Sequence, residues 1–233
     1  MIKSFLITVS FSILLFSSEQ IILVVSDDFN SSRAKLECYE DLKLVYGPID
    51  VNIGKNGLGW GLGEKNLHQK NTEPLKYEGD KKAPIGVFKL TGIYGYSKTH
   101  NYNMPYLYTS NNLICVDDSN SKFYNQVIEA NGGEKSFEYM KRSDHQYELG
   151  ILVAHNQNAL KKRGSCIFLH VKKSENASTA GCTSMSLKEI KKIASWLDKS
   201  KNPILIQIPK SSSEEILKLY PLLKESKLLK EEN

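Results

Sequence analysis

The most informative part of the sequence is GSCIFLHVKKSENASTAGCTSMSLKEI, residues 164–190. A run rich in β-branched and aromatic residues ends at His170, which predicts a strand. A polar loop follows, and Gly181 and Cys182 then precede a segment with helical spacing of apolar residues. Ser186 and Glu189 have the spacing of a capping box, which predicts a helix beginning there and running to about residue 199. The stretch therefore predicts a strand, a loop and a helix, with the thiol close to the helix N-terminus.

This arrangement is typical of a nucleophilic cysteine. A helix N-terminus and a neighbouring imidazolium both stabilise a thiolate, so we expect the pKa of the Cys182 thiol to be lowered. Gly181 would let the backbone turn tightly, and consecutive amides around Cys182 could form an oxyanion hole. The alternative is a buried cysteine beside an unrelated histidine, which is common for each residue type taken alone.

Outside this stretch the pattern is mostly β. Alternating residues from Leu36 to Tyr46 predict two half-buried strands, the second ended by Gly47 and Pro48. The glycine-rich residues 54–63 lack a phosphate-loop pattern and are expected to form a turn-rich connection. A second helix should begin at Ser212 and be kinked or ended by Pro221. Further strands are predicted at 21–25, 86–90, 113–116, 151–155, 166–171 and 204–208.

Length and composition indicate one soluble globular domain. The chain has 233 residues, 40% of them hydrophobic, and its 31 basic and 26 acidic side chains are spread without a block that would suggest nucleic acid. Lys3 followed by an apolar run and a polar break predicts an export signal or retained anchor at residues 1–18. We expect a catalytic domain at 19–210 and a helical tail at 211–233, with membrane contact only if the signal is retained. No metal site is expected, because His68, His100 and His145 lack ligand partners at helical spacing.

Residues 178–185, STAGCTSM, resemble the nucleophile motif of the L,D-transpeptidase (YkuD-type) catalytic domain, with Thr179 in the place of the usual serine. Residues 79–90 (GDKKAPIGVFKL), 150–156 (GILVAHN) and 203–209 (PILIQIP) are also similar to segments of that family, and the resemblance spans about residues 21–209. It implies a mainly β fold, a curled mixed β-sheet sandwich with a few short helices.

The resemblance also implies roles for individual residues. Cys182 would be the nucleophile, and His170 the general base and acid. Gly181 and the Cys182 amide would hold the oxyanion, and the rest of the motif would contact substrate through Thr179, Thr183 and Ser184. His155 would either support the site from behind or be a structural histidine bonded by Asn156 or backbone.

Two positions depart from the family pattern. Val171 stands where many members have glycine, and Ser184 stands where many have an arginine that can bind a substrate carboxylate. The missing charge could come from Lys172, Lys173 or Arg163, although loop lysines are often simply solvated.

The implied reaction is acyl transfer in cell-wall remodelling. A cysteine thioester would form on a peptidoglycan tetrapeptide stem and pass to an amine, from a second stem or an envelope lipoprotein lysine, without any cofactor. With water as acceptor the enzyme would be an L,D-carboxypeptidase, and a non-catalytic wall-binding module is the third alternative. The protein would act in the periplasm or cell envelope. Disulfides among Cys38, Cys115 and Cys166 stay open at this point, with Cys166 expected in the core.

Overall fold

The computed structural model describes residues 19–41 and 43–230, so the signal or anchor predicted at residues 1–18 lies outside the described residues. The described part is mainly β, as predicted, with two short α-helices, α1 (Leu187–Trp196) and α2 (Ser213–Leu219). Three short 3₁₀ helices accompany them at Lys199–Lys201, Lys210–Ser212 and Pro221–Glu225. The strands are β1 Gln20–Ser26, β2 Arg33–Glu40, β3 Lys43–Asn52, β4 Leu58–Trp60, β5 Ala83–Gly95, β6 Tyr106–Tyr108, β7 Leu113–Val116, β8 Val127–Glu129, β9 Phe137–Tyr139, β10 Leu149–Val153, β11 Phe168–Val171, β12 Thr183–Met185 and β13 Ile204–Pro209.

The main sheet curls until it closes on itself. Its order runs β10-β11-β12-β3-β2-β1-β13-β5, and β5 pairs with β10 to complete the ring. Both parallel and antiparallel pairs occur: β1 lies parallel to β13 and β11 parallel to β12, whereas β5 is antiparallel to β13 and β10. Closure removes most exposed strand edges. The predicted curled mixed sheet is confirmed.

The core packs against both faces of the central strands of this ring. Strand β1 is buried at every position, which its uninterrupted apolar run predicts, and α1 adds Ile190, Ile193 and Ala194 to the same cluster. Part of the 211–233 tail joins it, since Ile216, Leu223 and Leu229 are also buried there. Among the described residues, no helix is both long and apolar enough to cross a membrane.

A second, smaller sheet covers the edge where the candidate site lies. It has three strands in the order β8-β7-β9. A disulfide joins Cys115 of β7 to Cys166, which lies just before β11. The small sheet is thus tied covalently to the strand that carries His170.

Several local predictions are confirmed and several are wrong. The capping box at Ser186 and Glu189 is present. Helix α2 ends at Leu219, just before Pro221, which begins a 3₁₀ helix. Strand β3, however, continues through the cis Gly47–Pro48 peptide to residue 52. The glycine-rich connection also contains a short strand, β4, because its backbone pairs with β5 even though its sequence has little β character.

Candidate active site

Cys182 and His170 line one cleft of about 340 Å³. Both side chains are buried at its floor, Cys182 at 7% and His170 at 4% exposure. The loop before Cys182 and the segment from Lys76 to Lys81 both line the cleft, and they lie next to each other at Gly181. The structure therefore brings the two predicted catalytic residues into one concave site.

Neighbouring parallel strands place the pair. His170 lies in β11 opposite Ser184 of β12, and Cys182 immediately precedes β12. The three-residue strand β12 thus separates the cysteine from α1, whose N-cap is Ser186. Cys182 was predicted to lie close to a helix N-terminus, but a strand that the sequence did not predict follows it, so the thiol lies outside the first turn of α1.

The Cys182 sulfur contacts backbone groups on both sides. Its Sγ accepts a hydrogen bond from the Phe168 N–H at 3.3 Å. The thiol donates to the Cys166 carbonyl oxygen at 3.4 Å. The resting thiol proton is therefore engaged with the Cys166 carbonyl, and this bond must break before any other group can accept the proton.

The imidazole of His170 is held in one orientation. Its Nδ1 lies 2.9 Å from the Val171 carbonyl oxygen, so Nδ1 carries the proton and donates it there. The ring packs edge-on against Tyr147, with centroids 5.2 Å apart. The other ring nitrogen, Nε2, is then the one with a lone pair for accepting a proton.

Burial keeps both candidate catalytic groups neutral. It raises the pKa of the Cys182 thiol to about 12, and the nearby Glu138 carboxylate acts in the same direction. Burial also lowers the pKa of His170 to about 4. The expected lowering of the thiol pKa is wrong, because the thiol is buried, β12 separates it from the helix N-terminus and His170 is a neutral imidazole.

Thr179 fixes the loop around the nucleophile. Its hydroxyl donates to the Cys182 carbonyl oxygen at 2.6 Å and accepts from the Gly181 N–H at 3.1 Å. Gly181 has a φ of +147°, and a Cβ there would lie 2.9 Å from the Lys82 carbonyl oxygen. Glycine is needed at this position, but its N–H already serves Thr179, so it does not point freely at an oxyanion.

Two of the proposed substrate contacts lie elsewhere. Thr183 is 2% exposed and its hydroxyl donates to Gln207 Oε1 at 2.6 Å in the core. Ser184 is 1% exposed and does not line the cleft. In the described part of the chain, Thr179, Gly181 and Cys182 line the cleft, whereas Thr183 and Ser184 support the sheet behind it.

His155 is likewise not among the cleft residues. It lies against Phe88, with ring centroids 5.7 Å apart, and neither ring nitrogen has a hydrogen-bond partner among the described residues. The expectation of a bond from Asn156 or backbone to this ring is therefore wrong. Burial lowers the pKa of His155 to about 3, and Lys76 and Arg163 act in the same direction.

The positive charges of the cleft come from residues that the sequence did not suggest. Lys76, Lys81 and Arg142 line it, whereas Lys172, Lys173 and Arg163 do not. Lys76 is 3% exposed and donates to the Tyr77 carbonyl at 2.8 Å and to Asp80 at 2.6 Å. Its Nζ lies 3.7 Å from the position of a Cβ on Gly181. One ammonium proton is thus left for a ligand beside the nucleophile loop.

Acidic groups and the disulfide complete the wall. Glu138 lines the cleft, accepts from the Tyr147 hydroxyl at 2.6 Å and has a pKa raised by burial. Cys166, expected in the core, is buried but also lines the cleft through its disulfide-bonded segment. In the described ranges no group of three His, Cys, Asp or Glu side chains could hold a metal ion.

A cysteine that precedes one strand and an oriented histidine on the neighbouring parallel strand line one cleft of a closed sheet, and these are residue types that thiol-dependent acyl transfer uses. The family model for the L,D-transpeptidase catalytic domain, YkuD, matches residues 21–206, and the chain belongs to this family. Membership implies cysteine-dependent activity of the L,D-transpeptidase type on peptidoglycan. No curated protein and no solved structure matches the chain.

Proposed function

We propose that this protein is a peptidoglycan L,D-transpeptidase that transfers the acyl group of a tetrapeptide stem to an amine through a thioester on Cys182. The observation that supports the proposal is that Cys182 and His170 line one cleft, with His170 oriented by the Val171 carbonyl. Acyl transfer through a thioester needs a nucleophile, a base and a group that orients the base, and these three residues are our candidates for those roles.

The first half-reaction forms the thioester. The Cys182 S–H proton moves to His170 Nε2 as sulfur attacks the carbonyl carbon of the third stem residue. The oxyanion of the tetrahedral intermediate lies by the Cys182 backbone amide. Collapse breaks the peptide bond to the terminal D-alanine, whose amine takes the proton from the imidazolium and leaves.

The second half-reaction returns the free thiol. An acceptor amine attacks the thioester carbonyl and gives its proton to His170, and the proton returns to sulfur as the thioester bond breaks. A side-chain amine of a second stem gives a cross-link, and a lysine of an envelope protein gives an anchored protein. Water as acceptor would give the tripeptide product of a carboxypeptidase.

Ser184 stands where many family members have an arginine, and Lys76 is our candidate for the residue that supplies the missing positive charge. Its ammonium is buried in the cleft wall next to Gly181, and two of its three protons are already engaged. A stem carboxylate placed there would gain a charge-assisted hydrogen bond with little competition from solvent. Arg142 lies further round the cleft, but Asp144 holds its guanidinium through two bonds of 3.0 and 2.6 Å.

The disulfide supports the proposal that the protein is exported to the periplasm or cell envelope. Disulfides persist in oxidising compartments and are rare in reducing ones. The bond between Cys115 and Cys166 joins two sheets of the described fold and so is structural.

The test is to incubate disulfide-bonded protein with disaccharide tetrapeptides and identify the products by mass spectrometry. Cross-linked dimers lacking one D-alanine establish transpeptidation, and tripeptide monomers alone establish a carboxypeptidase. Cys182→Ala should abolish both products, whereas Cys38→Ala removes the other free thiol, also buried, and should leave them. If no product and no Cys182 acyl adduct forms, the proposal fails and the wall-binding module takes its place.

The role of Lys76 has its own test. Lys76→Met should raise KM for the stem about tenfold, the effect of one lost bond to a charged group, with a smaller change in kcat. Lys89→Met is the matched control, because Lys89 is largely exposed and pairs with Glu64 outside the cleft. An unchanged KM in a Lys76→Met protein that folds normally would rule out this contact.

A further inference from the structure

Tyr94 carries a hydroxyl group with no explanation in the fold. The residue is 0% exposed, and its oxygen has no hydrogen-bond partner among the described residues. A buried hydroxyl without a partner lowers stability, and phenylalanine would fill the same space without that loss. Such a group calls for a role outside the resting structure.

The sheet register aims the Tyr94 ring toward the catalytic histidine. Tyr94 of β5 lies opposite Gly150 of β10, and Gly150 lies opposite His170 of β11. The three residues form one row across the sheet, so their side chains share a face. A Cβ on Gly150 would lie 2.3 Å from the Tyr94 hydroxyl oxygen, so the ring extends across this glycine toward His170.

The same ring belongs to the buried cluster that holds the nucleophile. Tyr94 and Cys182 are members of one cluster, and Tyr94 packs edge-on against Phe168 with centroids 5.3 Å apart. After burial, the charge that most raises the pKa of Tyr94 is that of Cys182. Tyr94 thus belongs to the buried cluster around the thiol, behind the residues that line the cleft.

A thiolate in this pocket has few donors. In the described residues its sulfur receives one backbone hydrogen bond, from the Phe168 N–H. Lys76 and Arg142 lower the pKa of the thiol by charge, while Glu138 and burial raise it. His170, with its own low pKa, is neutral at pH 7 and contributes positive charge only after it accepts the proton.

We propose that Tyr94 is a further catalytic residue, whose hydroxyl donates a hydrogen bond to the Cys182 sulfur when the thiol proton passes to His170. Tyr94 keeps its own proton throughout, so the step moves one proton, from sulfur to Nε2. In the resting enzyme the thiol donates to the Cys166 carbonyl, and the Tyr94 hydroxyl has no hydrogen-bond partner among the described residues. Gly150 is the position that makes room for this geometry.

The test is Tyr94→Phe in a Cys38→Ala background, so that Cys182 is the one free thiol among the described cysteines. The rate of alkylation by iodoacetamide is measured against pH in the disulfide-bonded protein. We expect the rate to fall about tenfold at each pH below the thiol pKa, with the profile shifted upward by about one pH unit. Tyr220→Phe is the control, a mostly buried tyrosine far along the chain in the C-terminal segment.

A stability measurement separates this role from a structural one. Tyr94→Phe should leave the urea midpoint unchanged or raised, since no resting hydrogen bond is lost. An unchanged alkylation profile with a raised urea midpoint would overturn the proposal. The Tyr94 hydroxyl would then be a buried group that only lowers stability. The assay needs no stem peptide, so its result is independent of whether the proposed transpeptidase reaction is observed. With substrate, kcat should fall about tenfold at constant KM.

Discussion

Two buried histidines should make the protein sensitive to mild acid. His155 and His170 are 2% and 4% exposed, and burial lowers their pKa values to about 3 and about 4 from an ordinary value of 6.5. The folded state therefore resists protonation that the unfolded chain accepts, so stability is complete above pH 6.5 and is lost as pH falls below it.

The loss of unfolding free energy is set by how far the pH lies below 6.5, the ordinary pKa of histidine. At about pH 4.5, protonation has stabilised each unfolded histidine by about 2 to 3 kcal/mol, and the folded histidine has not gained this free energy. The pair should thus lower the free energy of unfolding by about 5 kcal/mol between pH 7 and pH 4.5. Domains of this kind have only about 5–15 kcal/mol in total. We expect unfolding to begin near pH 4.

The assay is urea denaturation followed by far-ultraviolet circular dichroism at the two pH values. Leucine has a volume similar to that of histidine and does not titrate, so His155→Leu should lose about 2 to 3 kcal/mol less stability than the wild type on acidification. His68→Gln, at an exposed position, should behave like the wild type. If His155→Leu shows the full wild-type loss, burial does not hold this imidazole neutral and the reasoning is refuted.

Three further predictions concern the site and its supports. Because burial raises its pKa to about 12, Cys182 should react with iodoacetamide at pH 7 roughly a thousandfold more slowly than glutathione does; a faster rate would contradict this. Thr179→Val loses two hydrogen bonds, so it should lower kcat about tenfold and the free energy of unfolding by about 2 kcal/mol. Thr179→Ser keeps the hydroxyl and should retain both values in turnover and urea denaturation measurements. Replacing Cys115 and Cys166 together by alanine should lower the free energy of unfolding by about 4 kcal/mol, since the bond spans 51 residues, and an unshifted urea midpoint would contradict this.

The sequence predicts those parts of the fold whose signal is local. Local sequence patterns predict three of the elements correctly. They are the apolar run of β1, the capping box of α1 and the β-branched run of β13. Strands β4 and β12 were missed because three residues show no periodicity, and their pairing comes from distant partners. The continuation of β3 through Gly47 and Pro48 was missed because turn residues normally interrupt a strand.

The residues of the candidate site also fall into those that a local motif predicts and those that only the fold brings together. Cys182, His170 and Gly181 were predicted from one motif, and the structure places all three in the cleft. Lys76 and Arg142 enter it from segments about 100 and 40 residues upstream of the cysteine, and nothing local marks them. The direction of the thiol pKa was predicted wrongly because burial is a property of the whole fold, whereas a motif shows only neighbours in sequence.

In the mechanism that we propose, the two pKa values limit how the proton can be transferred. Moving a proton from a thiol of pKa about 12 to an imidazole of pKa about 4 costs about 11 kcal/mol before the new charges attract each other. If sulfur and imidazole approach to about 4 Å, that attraction returns about 4 kcal/mol at an effective dielectric constant near 20. About 7 kcal/mol remains, against a total barrier of about 17 kcal/mol for one turnover per second. A thiolate–imidazolium pair is therefore a transient on the path and not the resting state. Donors that act only on the charged sulfur, such as the Phe168 N–H and the hydroxyl proposed for Tyr94, lower this part of the barrier without stabilising the resting thiol equally.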